Sequence, residues 1–164
     1  MRTLMALVML APFALAQDAA APKPAEAPKG EVSQLVPPDP LPGAALPKDA
    51  AWQTTASGLR WVVLEKGDET AAKPGIDAIV SVYYAGWLES GTLFDEAKSS
   101  GPVVSFPLTR VIKGWTEGVQ LMQEGAVYKF VIPASLGYGS EGAGGRIPPD
   151  ATLVFQIELL KVGA

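Results

Sequence analysis

Val111-Ile112-Lys113-Gly114-Trp115-Thr116-Glu117-Gly118-Val119-Gln120-Leu121-Met122 is the one stretch of the chain that reads as a helix. Ile112, Trp115, Val119 and Met122 recur at steps of three, four and three, which sets them on one face of a 3.6-residue spiral. Lys113, Glu117 and Gln120 fall elsewhere, so Trp115 is expected to face a core. Gly114 and Gly118 each cost about 1 kcal/mol relative to alanine inside a helix, and four residues apart they lie on one side. Another chain element or a ligand is expected to come close there. Gly125, after Glu124, reads as the C-terminal stop.

Period-2 segments flank this helix. Leu59, Trp61 and Val63 alternate with Arg60, Val62 and Leu64 and predict a first strand ending at Lys66-Gly67-Asp68. After a Lys73-Pro74-Gly75 turn, Ile79 to Leu88 forms a longer strand, which Glu89-Ser90-Gly91-Thr92 folds back as a hairpin onto Leu93-Phe94-Asp95. Val103 to Leu108 is a short strand with prolines at 102 and 107, suited to an edge. Val127 to Ile132 and Thr152 to Lys161 follow the helix, the second placing Leu153, Phe155, Ile157 and Leu159 on one face. Between them, Pro133 to Pro149 is a loop with Tyr138 and five glycines. The expected class is α+β, a curled antiparallel β-sheet of about five strands wrapped over one short α-helix, in a domain spanning 52–164.

The N-terminal third reads differently. Residues 1–16 combine Arg2, an apolar run from Thr3 to Leu15 and an Ala14-Leu15-Ala16 cleavage signature, the layout of a signal peptide. The run is shorter than the about 20 residues of a membrane span, and Pro12 interrupts it. From 17 to 50, eight residues are proline and eight alanine, a composition expected to form a disordered or polyproline tether. The chain is therefore expected to be exported, with no stable membrane insertion after cleavage.

Composition excludes much chemistry. The 164 residues include no cysteine and no histidine, which removes disulfides, thiol nucleophiles, Cys or His zinc sites and histidine triads. A formal charge of -4 argues against nucleic acid as a partner. Gly142-Ala143-Gly144-Gly145 has the look of a phosphate loop, but neither lysine nor helix follows it, only Pro148-Pro149. Polar side chains near the aromatic residues are few: Asp95 after Phe94, Tyr84 in mid-strand and Tyr138 in the glycine-rich loop. Taken singly, Asp95 could cap a turn, Tyr138 could be an idle exposed aromatic, and Trp115, Phe94, Ile112 and Phe155 could be ordinary core.

Their joint arrangement says more. Val82-Tyr83-Tyr84-Ala85-Gly86, Gly91-Thr92-Leu93-Phe94-Asp95, Val111-Ile112-Lys113-Gly114-Trp115-Thr116-Glu117-Gly118, Leu136-Gly137-Tyr138-Gly139, Ile147-Pro148-Pro149 and Ala151-Thr152-Leu153-Val154-Phe155 resemble, in order and spacing, the FKBP-type peptidyl-prolyl cis-trans isomerases. The resemblance covers 52–164. It implies a pocket for a substrate proline with Trp115 as floor and Tyr84, Phe94, Val111, Ile112 and Phe155 as walls. It further implies Asp95 at the rim, a Tyr138 hydroxyl and an Ile112 backbone N–H donating to substrate carbonyls, and Ile147 in a flap above. No cofactor and no metal are implied. The substrates would be proline-containing polypeptides, with macrolides as possible inhibitors. The signal and tether resemble exported bacterial members, which suggests a periplasmic site of action.

Three departures stand out. The family often carries an aromatic residue at the position matched by Val104, and Phe106 to Val111 is shortened relative to small cytosolic members. The flap from Gly139 to Arg146 lacks histidine and is rich in glycine. Macrolides are accordingly expected to bind less tightly than to small cytosolic members. The alternative function is an exported peptide-binding module or folding chaperone in which turnover is incidental. Lacking a flap insertion and a helical dimerisation arm, the chain is expected to be a monomer of modest chaperone activity.

Overall fold

A computed structural model describes residues 41–163. The readings for 1–16 and for 17–40 lie outside the described residues. The elements are β1 (Gln53–Thr54), β2 (Arg60–Glu65), β3 (Ile79–Leu88), β4 (Leu93–Ala97), β5 (Val104–Pro107), a 3-10 turn (Leu108–Arg110), α1 (Lys113–Val119), β6 (Val127–Ile132), a second 3-10 turn (Ala134–Leu136) and β7 (Leu153–Gly163). Among the described residues, seven strands form one antiparallel sheet in the order β1-β2-β6-β7-β3-β4, with β5 also on β3. The expected α+β class holds, but the sheet has seven strands rather than about five. Gln53–Thr54 pairs with Trp61 and Arg60; two exposed residues carry no period that sequence could reveal.

β3 and β7 form the spine, paired from Ile79↔Gly163 to Leu88↔Leu153 with one bulge after Ser81. The far side of β3 is shared: Ile79 to Val82 pair with β5, and Tyr84 to Trp87 with β4. Alternation then sorts the side chains. Val80 and Val82 of β3, Phe130 and Ile132 of β6, and Leu153, Phe155, Ile157 and Leu159 of β7 all join the buried core under α1.

α1 is shorter than the periodicity suggests. It runs seven residues, with extended Ile112 as its N-cap. The N–H groups of Leu121 and Met122 turn back to the carbonyls of Gly118 and Val119, tightening the end into i to i+3 turns. Gln120 Nε2 donates to the Thr116 carbonyl at 2.6 Å, satisfying one last-turn acceptor. Met122 stays fully buried through these turns, so its place on the apolar face extends past the helix end. Gly125 is not the stop. It lies beyond, at φ +80°, and donates to the Leu159 carbonyl where the chain enters β6.

The close approach expected at Gly114 and Gly118 is made by β6. A Cβ on Gly114 would lie 2.5 Å from Ile132 Cγ2, and one on Gly118 would lie 2.7 Å from Phe130 Cε1. Four helical residues rise about 6 Å and two strand residues about 6.6 Å, so the two glycines match successive inward side chains of β6.

The packed unit also begins before Trp52. Leu41 is buried with Val131 and Val154, with Trp52 packed against them, on the sheet face opposite α1. Ala44 N–H donates to Gln156 Oε1 at 2.8 Å, and Lys129 Nζ, 1% exposed, donates to the Ala44 carbonyl at 2.6 Å. Residues 41–52 are thus a strap on the outer face, where a tether to residue 50 was expected. Small residues such as Gly43 and Ala44 lie flat on a sheet without apolar periodicity, which is why composition alone hides them.

Candidate functional site

Tyr84 shares the inward face of β3 with Val80 and Val82, Phe155 comes inward from β7, and Trp115 rises from α1. Trp115 is 5% exposed and is met edge-on by three rings: Tyr84 at 5.1 Å, Phe155 at 5.4 Å and Phe106 at 6.0 Å, all at interplanar angles of 87° to 89°. Phe94 stands edge-on to Phe155 at 5.5 Å. Such T-shaped contacts are each worth about 0.5–1.5 kcal/mol beyond burial and hold the rings in fixed planes. Gly86 makes room for two of them, since a Cβ there would lie 2.6 Å from Phe155 Cε1 and 2.9 Å from Phe94 Cζ.

These rings enclose a cavity of about 420 Å³, within the usual range for small-ligand pockets. Of the residues expected at the site, Tyr84, Phe94, Asp95, Val111, Ile112, Trp115, Tyr138 and Phe155 all line it. Ile147 does not. It is 7% exposed and packed in the core below the loop tip, its N–H and C=O exchanging bonds with Ala143 at 3.0 and 2.9 Å. An apolar residue flanked by glycines and prolines gives no sign of whether it points at solvent, pocket or core.

Two lining residues were missed. Phe106 reaches the cavity from β5, so the aromatic that seemed lost at Val104 is supplied two residues later on the same strand face. The alternation of Val104 and Phe106 was the available signal. Arg110 lines the cavity from the 3-10 turn before α1; a lone arginine next to a helix start carries no signal of its own.

The polar groups are ordered. Tyr84 donates its hydroxyl to Asp95 Oδ2 at 2.7 Å. Burial first, and that bond second, push the Tyr84 hydroxyl well above the usual phenol range. Tyr138 is 39% exposed, and its hydroxyl is also raised, by burial and then by the Asp95 charge. Both phenols are therefore protonated donors throughout the neutral range. At the helix start, Trp115 and Thr116 N–H both donate to the Ile112 carbonyl, while among the described residues no backbone acceptor takes the Ile112 N–H. Thr116 Oγ1 anchors that corner by donating to the Leu108 carbonyl at 2.6 Å.

Above the cavity, the 137–151 loop is closed at its neck by Gly139 N–H to the Ala134 carbonyl and Asp150 N–H to the Gly139 carbonyl, both 2.9 Å. Gly144 at φ +55° and Gly145 at +70° turn its tip back between Ala143 and Ile147, a backbone that other residues rarely adopt. The Arg146 guanidinium donates to the Phe94 carbonyl at 3.3 Å and ties the loop to β4.

The sequence model of the FKBP-type peptidyl-prolyl cis-trans isomerases matches residues 70–160. The chain belongs to this family. A probable FKBP-type peptidyl-prolyl cis-trans isomerase FkpA of Neisseria meningitidis serogroup B is 50% identical over 112 residues, covering 68% of this chain and 40% of that protein. The FK506-binding protein of the same organism is 49% identical over 85 residues, 51% of this chain and 78% of its own length. Among solved structures, a peptidyl-prolyl cis-trans isomerase of Pseudomonas syringae superposes with TM-score 0.64 at 39% identity, covering 69% of this chain and 81% of that one. The chain spans less than half the length of the FkpA-type relative. As an FKBP domain, its open antiparallel sheet over one short helix is the family fold.

Proposed function

We propose that this FKBP chain is a peptidyl-prolyl cis-trans isomerase that accelerates rotation about Xaa-Pro bonds in exported polypeptides. One observation carries the reading: a ring-walled cavity floored by Trp115, with the Tyr84–Asp95 pair at its rim. Rotation of a prolyl amide breaks C–N resonance, at a barrier of about 18–20 kcal/mol that makes the free reaction take tens to hundreds of seconds. No covalent bond has to form. The twisted amide has a smaller carbonyl dipole than the planar one, so an apolar cavity favours it. Each 1.36 kcal/mol of that preference is a tenfold rate gain.

In this reading the proline ring sits over Trp115 between Tyr84, Phe94 and Phe155. The Ile112 N–H and the Tyr138 hydroxyl donate to flanking carbonyls and hold the peptide in a turn, which adds orientation. Asp95 holds the Tyr84 ring plane through its hydroxyl. The signal-peptide pattern of residues 1–16 and the proline- and alanine-rich composition of 17–50 support export and a periplasmic site of action. Among the described residues no helix is long and apolar enough to cross a membrane. The chain acts as a monomer, and macrolides such as the FK506 of its relative's name compete for the same cavity.

The test is the cis-to-trans rate of a short Xaa-Pro peptide with the full chain, beside Asp95→Ala and Trp115→Ala checked for folding by circular dichroism. Both variants are expected to lose at least about tenfold in kcat/KM. A folded wild-type chain that binds peptide without accelerating it would make this a binding module.

A further inference from the structure

We propose that Arg110 makes the cavity select peptides that carry a carboxylate beside the proline, an inference that rests on the isomerase reading above. Arg110 is exposed yet lines the same cavity as Trp115. The Thr116 hydroxyl bond to the Leu108 carbonyl fixes the turn that carries it relative to α1. Among the described residues its guanidinium has no ion pair. The one carboxylate lining the cavity, Asp95, is engaged by Tyr84 instead. Two further cations lie on the elements around it, exposed Lys113 at the start of α1 and exposed Arg146, which reaches the Phe94 carbonyl. The same elements also carry Glu96, Glu117, Glu141 and Asp150, but none of these lines the cavity.

The chemistry follows from that placement. A guanidinium is charged at every working pH and presents a planar fork that fits a carboxylate. Residues flanking the proline lie about 3.8 Å apart along the peptide, within reach of a side chain as long as arginine once the ring is over Trp115. A Glu or Asp beside the proline gains an ion pair with this exposed guanidinium, and a Lys there meets a like charge. At a solvent-edge site this difference is worth about two- to fivefold in kcat/KM.

The experiment measures kcat/KM of the full chain on peptides alike except for Glu, Ala or Lys next to proline, on either side. Glu is expected to exceed Lys by about two- to fivefold, and about 0.5 M salt should narrow the ratio. The ratio should fall to near one in Arg110→Ala, invert in Arg110→Glu and return in part in Arg110→Lys, each checked for folding by circular dichroism. Equal rates in the wild type, or a preference that survives Arg110→Ala, overturns the inference. Peptide affinities from tryptophan fluorescence separate the two readings: if no peptide is turned over, the isomerase reading fails, while a Glu preference in affinity that Arg110→Ala abolishes upholds the charge selection and equal affinities overturn it.

Discussion

Tyr84 does two jobs with one side chain: its ring is a wall of the cavity and its hydroxyl restrains Asp95. The hydroxyl titrates higher in the folded chain than in the unfolded one, where its value is near 10.0. Above that pH the folded state keeps a proton that the unfolded state has lost. The stability this group contributes is therefore whole below about pH 10 and falls as pH rises toward the folded value. Tyr84→Phe should lower the unfolding free energy by about 0.5–1.5 kcal/mol at neutral pH and flatten the alkaline decline, both read from denaturant titrations across pH 7 to 11. Tyr138 and Tyr128 are raised in the same direction, so the decline should shrink without vanishing. With no histidine or cysteine in the chain, kcat/KM should be nearly level from about pH 6 to 8. At this scale the sequence was informative for the motif side chains that line the cavity, while Ile147, also within a motif, packs in the core instead. Arg110 belonged to none, and Phe106 was obscured by a comparison made at Val104 rather than along the strand.

Helix α1 exists because β6 holds it, not because its residues favour a helix. It has no side-chain N-cap, two internal glycines and seven residues, far from independently stable. Gly118→Ala separates the two influences. Propensity alone predicts a gain of about 1 kcal/mol, but the new methyl meets Phe130 at 2.7 Å, and overpacking costs about 1–3 kcal/mol. A lower thermal midpoint is the expected result of calorimetry, and a raised one would show that Phe130 yields freely. Periodicity found this helix and strands such as β3 and β7 because each buries one face, whereas β4, with no buried residue, was read from its hairpin turn. It set the helix end too late because Met122 continues the apolar face through turns that are no longer α-helical. A face pattern reports burial, not hydrogen bonding.

The whole domain is larger than its aromatic core. The strap of residues 41–52 buries Leu41 against Val131 and Val154 and covers Lys129 with the Ala44 carbonyl. A chain starting at residue 52 should be less stable than one starting at residue 41 by at least about 2 kcal/mol, the cost of losing the burial of one large apolar side chain together with the Lys129–Ala44 hydrogen bond. Paired urea titrations check this, and equal midpoints would show the strap to be ornamental. β7, meanwhile, lies between β6 and β3, and the strand order gives the β1-β2-β6 half no other bonded link to β3, β4 and β5. Among the described residues it is also the last strand in chain order. While the ribosome is still upstream of Leu153 the nascent polypeptide holds two half-sheets that cannot join, and their pairing, remote in sequence, is slow by nature. The two half-sheets therefore stay apart until Leu153–Gly163 leaves the ribosome, which makes closure of the sheet a late event in the synthesis of this domain.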